Sequence, residues 1–225
     1  MELSNTKLIN NSCYVDGKWL KASDGSITKI LNPANQEELG VVSNGGAIET
    51  NKAIKAAVIA QKKWAKTPSK EKSEVLNKLY LLMLENQEDL ARIITYEQGK
   101  PLLESRGEVL YGASFIQWFA EEAKRVYGDI IPGHMGDRRT IVIKQPIGVV
   151  GCITPWNSPQ QCLLEKWVQL WPLAVLWFVN QHLKHLFLHW HWLICQKRLV
   201  SQGVYLMWLL VMLRALEMNY YQVQK

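Results

Sequence analysis

Glycine and acidic residues all but vanish after Asn157. Of fourteen Gly in the 225-residue chain only Gly203 lies beyond that point, and of twenty acidic residues only Glu165 and Glu217 do. Turns and helix caps rely on Gly, and a solvated surface needs charges of both signs, so residues 158–225 lack what a soluble domain is built from. Other absences narrow the function classes. The N-terminus Met-Glu-Leu-Ser-Asn-Thr has neither the basic region nor the apolar core of a signal peptide, which makes a cytoplasmic location the expectation. Cys13, Cys152, Cys162 and Cys195 show no metal-ligand spacing and no close pairing, so reduced thiols are expected and a metal is not. Basic residues are not clustered with aromatic partners in the first 157 residues, which speaks against a nucleic-acid partner.

What is present divides at the same place. Residues 1–157 carry 20 basic and 18 acidic residues, while residues 158–225 carry 6 and 2, along with six of the ten Trp and four of the five His. The basic balance of the whole chain, +6, therefore comes mainly from the tail.

The first part reads as an ordered α/β sequence. Turn signals at Asp16-Gly17, Asp24-Gly25, Asn32-Pro33 and Asn44-Gly45-Gly46 separate short alternating runs, predicting hairpins over residues 14–46. Ala53, Ala56, Ala57, Ala60 and Trp64 recur at helical spacing from Ala47 to Lys66. A second helix is expected from Ser69 to Gly99, with Val75, Leu79, Leu82, Met83, Leu90 and Ile94 as its stripe. A third is expected from about Leu102 to Val126, with Leu110, Ala113, Phe115, Ile116, Phe119 and Ala123. Arg139–Gln145 alternates like a half-buried strand, and Ile147–Thr154 is a nearly continuous apolar run of the kind found in parallel sheets.

That last run ends in Thr154-Pro155-Trp156-Asn157, which places an aromatic and a carboxamide at the carboxyl end of a strand, the edge where open α/β sheets bind ligands. On spacing alone, a strand end with a packed Trp and a turn Asn is the favoured reading of these residues. Lys144 reads as a solvated strand residue, Glu97 and Glu121-Glu122 as helix residues facing solvent or a neighbouring subunit, and Cys152 as a small inert hydrophobe.

Six stretches in order carry a family resemblance: Tyr14-Val15-Asp16-Gly17-Lys18-Trp19, Asn32-Pro33-Ala34, Glu97-Gln98-Gly99-Lys100-Pro101-Leu102, Trp118-Phe119-Ala120-Glu121-Glu122-Ala123 with Tyr127-Gly128, Gln145-Pro146-Ile147-Gly148-Val149, and Thr154-Pro155-Trp156-Asn157. Residues 1–157 resemble the N-terminal third of an aldehyde dehydrogenase, and within that superfamily the succinate-semialdehyde dehydrogenases. The resemblance implies a Rossmann-like α/β domain with an oligomerisation strand. It also implies NAD- or NADP-dependent oxidation of a small semialdehyde through a Cys thiolate, and a homo-oligomer in the intact family. By the same resemblance Asn157 donates a hydrogen bond to the oxyanion, and Ile153, Thr154, Pro155 and Trp156 line the cofactor cleft.

The resemblance stops at Ser158, and the genetic code suggests why. If each intended codon is the last base of one observed codon plus the first two of the next, His189-Trp190-His191-Trp192 can only encode Leu-Ala-Leu. Likewise Trp167-Val168 forces Gly, Trp171-Pro172 forces Ala and Met207-Trp208 forces Val, each where the family sequence requires it. Deleting one T from a Phe codon at position 158 accounts for Ser158-Pro159-Gln160-Gln161-Cys162. The expectation is a partial dehydrogenase domain over 1–157 followed by an out-of-frame tail over 158–225 with no predictable fold. Glu165 would stand in place of a substrate-gripping Arg and Asn180 in place of a cofactor-binding Lys, and the catalytic Cys and general-base Glu would be missing. Such a chain is expected to be inactive, and neither cofactor binding nor oligomerisation is expected of it.

The competing reading is a short protein recruited to a membrane surface or a partner. The apolar runs Leu170–Val179 and Val204–Leu213 fall well short of the roughly 20 residues that span a bilayer. His182, His185, His189 and His191 have helical spacing but no acidic or Cys partner nearby, and they follow automatically from out-of-register Leu-Ala and Ser-Ala codons.

Overall fold

The structure, a computed structural model, describes residues 2–5, 8, 11–154 and 158 and the strand 176–181, with backbone alone for 152–154 and 176–181. Asp16 and Gly17 both take positive φ, 51° and 77°, the geometry that closes a two-residue hairpin with the right twist, and they join β1 (Cys13–Val15) to its antiparallel partner β2 (Lys18–Leu20). A second hairpin pairs β3 (Ile27–Leu31) with β4 (Glu38–Ser43) and carries an irregularity between Ile30 and Leu31. Cys13, Tyr14, Val15, Ile30 and Val42 from these hairpins are buried in the same core as the helices. Residues 13–43 thus form the β-rich entry segment expected from the turn signals.

Helix α1 (Ala47–Trp64) buries Ala53, Ala57, Ala60 and Trp64, the spacing read from the sequence. Its start is held by Glu49, whose carboxylate accepts from the Gly46 N–H at 2.9 Å and the Ser23 N–H at 3.1 Å. Residues 69–98, expected as one helix, form two: α2 (Ser69–Glu85) and α3 (Gln87–Gln98). The break is Asn86, at φ −105° and ψ 18°, whose side-chain amide donates to the Leu82 carbonyl at 2.8 Å. A short amide that captures a backbone carbonyl competes with the helical ladder, and periodicity alone does not register it. Beyond the break, Asp89 accepts from the backbone N–H groups of Ser4 and Asn5 at 3.0 and 2.9 Å, which pins the N-terminal segment to α3.

Helix α4 (Leu102–Glu122), continued by a 3-10 turn at Ala123–Arg125, packs on α2 and α3. It buries Val109, Ala113, Ile116 and Ala120, but Leu110, expected on this stripe, is exposed. An antiparallel ribbon follows, β5 (Asp129–Pro132) with β6 (Arg139–Val142), in which all eight residues are exposed. β5 was not expected, because Gly128 and Pro132-Gly133 read as a helix terminus; Pro132 is tolerated as the last residue of a two-stranded ribbon.

β7 (Val149–Thr154) lies parallel to β8 (Leu176–Gln181), in register from Val149 with Leu176 to Thr154 with Gln181, and α1 packs against both. Hairpins, helices and a parallel pair together make the expected α/β fold. No element had been assigned to β8, which takes up Leu176–Val179 of the apolar run considered above; Leu-Trp-Phe-Val is a sequence with high strand propensity.

Candidate active-site edge

The parallel pair sets the geometry of the candidate site. Because β7 and β8 run in one direction and in register, Thr154 and Gln181 end side by side, and Ile153 lies opposite Asn180. The structure thus puts Ile153 and Thr154 at the carboxyl end of β7, as read from the sequence. Pro155, Trp156 and Asn157 lie outside the described residues. A parallel pair flanked by a helix, ending on one edge, is the backbone arrangement on which α/β proteins bind nucleotides.

Chemistry at that edge requires a nucleophile, and the described residues do not place one there. Cys13 is fully buried in β1, its Sγ directed at the Ser43 carbonyl at 3.6 Å, and burial pushes its thiol up to about 11. A nucleophilic Cys needs the opposite shift. No group of three or more His, Cys, Asp or Glu side chains gathers to hold a metal among the described residues, and among them no helix is long and apolar enough to cross a membrane. Lys144 is exposed, as expected. Glu97 is not the surface residue the sequence suggested: at 2% exposure it is buried at the end of α3.

Two resemblance-bearing stretches meet in space. Gly99 caps α3 in the left-handed region and abuts Pro33 of the Asn32-Pro33-Ala34 turn. Lys100, one residue on, pairs with the buried Glu108 of α4, and Thr95 and Ser105 hydroxyls lie 2.9 Å apart across the α3–α4 turn. None of these ionic or hydroxyl contacts was singled out in the sequence; a charged residue shortly before a helix and a carboxylate two turns into it is the one signal that was available.

The model of the aldehyde dehydrogenase family matches residues 19–171. The chain belongs to the aldehyde dehydrogenase family. A glutarate-semialdehyde dehydrogenase of Pseudomonas putida is 52% identical over 166 residues, 74% of this chain and 35% of the relative. The NADP-dependent succinate-semialdehyde dehydrogenase of Escherichia coli is 50% identical over 166 residues, again 74% of this chain and 34% of the relative. Among solved structures, a succinate-semialdehyde dehydrogenase from Burkholderia pseudomallei superposes with a TM-score of 0.90 at 36% identity, over 96% of this chain and 45% of that one. The chain spans about a third of the length of the curated aldehyde dehydrogenases it matches.

Proposed function

We propose that residues 1–157 come from an NAD- or NADP-dependent semialdehyde dehydrogenase and that residues 158–225 are read one base out of register. The observation that carries the first half is the match of sequence and fold to semialdehyde dehydrogenases. The second half is carried by the forced codons, since Trp, Met and His leave almost no choice and each shifted triplet returns a family residue.

In the register-restored protein the edge of β7 supplies the cofactor cleft through Ile153, Thr154, Pro155 and Trp156, and the Asn157 side-chain amide donates to the oxyanion that forms when a thiolate attacks the aldehyde carbon. A nicotinamide cofactor held in that cleft would supply the hydride acceptor. In the chain as written the residues present do not fit the cofactor: opposite Ile153 stands Asn180, which offers no cation, where the resemblance implies a Lys. No step through the cofactor is therefore assigned to this chain. The expected substrate of the restored enzyme is a small semialdehyde, and the chain as written does not oxidise it.

Nucleotide sequencing across codon 158 tests the reading. One T fewer than the family's Phe codon requires, with an in-register dehydrogenase reading downstream, is the expected result. A downstream sequence that encodes no dehydrogenase in any register refutes it. If the missing base is restored on resequencing, the protein is the intact enzyme and the tail is an artefact of the read.

A further inference from the structure

Helix α1 turns its one acid inward and its lysines outward. Between Val41 and Lys70 the sequence holds six Lys and a single acidic residue, Glu49. Glu49 is 3% exposed and its carboxylate accepts from Ser23 and the Gly46 N–H, so the outer face of the helix carries no carboxylate of its own. At 3.6 residues per turn, Ile48, Lys52, Lys55, Ile59 and Lys62 fall within an arc of about 80° along about 21 Å of helix, opposite the buried Ala53, Ala57, Ala60 and Trp64. All five are exposed, Ile48 at 57% and Ile59 at 64%. Elsewhere the helices balance their charges in pairs: Glu88 with Arg92 and Arg106, Glu121 with Lys124, Glu122 with Arg125. A surface that meets only water mixes both signs in this way. The outer face of α1 instead has one sign of charge with two aliphatic side chains set among the ammonium groups.

A one-signed row attracts the opposite sign, and the aliphatic residues decide which kind of anion fits. Lysine stems lie along apolar surface while their ammonium groups reach polar partners, an arrangement that seats a protein on lipid headgroups with its apolar side chains just below them. Each lysine held near an anionic leaflet strengthens binding by about fivefold. A nucleic acid fits less well. Base stacking needs an exposed ring and bidentate phosphate contacts need Arg, whereas the row has no Arg and Trp64, the one aromatic of α1, is 5% exposed. We propose that this face of α1 is a docking surface for an anionic lipid bilayer, with Lys52, Lys55 and Lys62 on the headgroups and Ile48 and Ile59 entering the boundary between headgroups and acyl chains. Helix α1 lies before Asn157, so the docking face is the same however residues 158–225 are read.

Flotation of the full 225-residue chain with vesicles of phosphatidylcholine, with and without phosphatidylserine, tests the proposal, because bound chain rises and aggregated chain does not. Binding is expected only where phosphatidylserine is present, and salt should weaken it. Lys52→Gln, Lys55→Gln and Lys62→Gln together should lower partitioning about a hundredfold, and Ile59→Gln alone about fivefold. Lys29→Gln, Lys124→Gln and Lys144→Gln together make the same change of net charge away from α1 and should cost no more than about threefold. All these side chains are exposed, so each variant should melt like the parent. The lysine and Ile59 variants read separate contributions, and either decides if the other fails to fold. Absence of flotation overturns the proposal, as do equal losses from the two triple variants, which reduce it to net charge. Binding that survives the α1 triple variant also overturns it and makes the Trp-rich tail the attachment. So does duplex DNA bound as tightly as the vesicles with Ile59→Gln without effect on either, which makes a nucleic acid or any polyanion the ligand.

Discussion

Gly99 and Pro33 touch across the fold: Gly99 takes φ +78°, and a Cβ built on it would lie 3.0 Å from the Pro33 Cγ. Two stretches of sequence more than sixty residues apart, each matching the family, are thus parts of one contact. Both the dihedral and the space require Gly. We expect Gly99→Ala to destabilise the chain by about 1–2 kcal/mol in urea unfolding, from the left-handed conformation plus the displaced proline ring. Gly107→Ala is the control: its Cβ would meet nothing within 4 Å and its position is helical, so it should stabilise by about 0.5–1 kcal/mol. Equal effects from the two substitutions would contradict this account.

The buried thiol of Cys13 gives a pH dependence of defined sign. Burial raises it from 9.0 to about 11, so the folded state holds the proton where the unfolded chain has released it. Stability from this group is fully present below pH 9 and is lost as pH rises to about 11, an effect on the order of 2 kcal/mol. Denaturation midpoints should fall over that interval in the parent and fall less in Cys13→Ala. Parallel curves would show that the thiol titrates no differently in the folded protein.

Glu88 works in the acid range. Hydrogen bonds from Arg106 above all, then from Arg92, hold its carboxyl down to about 2, at 2.8 Å for Arg106 Nε and 3.3 Å for Arg92 Nε. A depressed pKa stabilises above the unfolded value of 4.5, and the contribution is lost as pH falls from there to about 2. The cluster is solvent-screened, so Glu88→Gln should only flatten the stability profile slightly in that window, and salt should flatten the parent in the same way. An unchanged slope in Glu88→Gln, followed by circular dichroism, would remove Glu88 from the acid transition.

Catalysis should follow the reading frame. The chain as written is expected to give no aldehyde-dependent nicotinamide reduction, whereas the gene with one T restored at codon 158 is expected to yield a semialdehyde dehydrogenase. In that restored enzyme Asn157→Ala should lower kcat by about 10² to 10³, the usual cost of losing an oxyanion donor. A steady-state assay with succinate semialdehyde and glutarate semialdehyde reads both effects, and turnover by the 225-residue chain itself would end the out-of-register account.

The helices α1 and α4, the hairpins and β7 were all legible in the sequence, because each is set by a local period or a local turn. Asp16-Gly17 can close its hairpin whatever surrounds it, and the Ala53, Ala57, Ala60 and Trp64 spacing belongs to a helix in any context. The edge position of Ile153 and Thr154 was legible for the same reason, since a continuous apolar run ending in a turn has a carboxyl end. The forced codons are legible without a structure too, because they follow from the genetic code and not from packing.

Tertiary structure decided what depends on partners distant in sequence. Asn86 divides one apparent helix into two, and Asp89, just beyond it, holds the N-terminal segment. Glu97 is drawn inside although by its sequence it reads as a residue facing solvent or a neighbouring subunit. Leu110 and Ala113 share one apolar pattern, yet Ala113 is buried and Leu110 exposed, because α2 and α3 cover only part of that pattern on α4. A period tells how many faces a helix offers; which face is covered depends on the chain that reaches it.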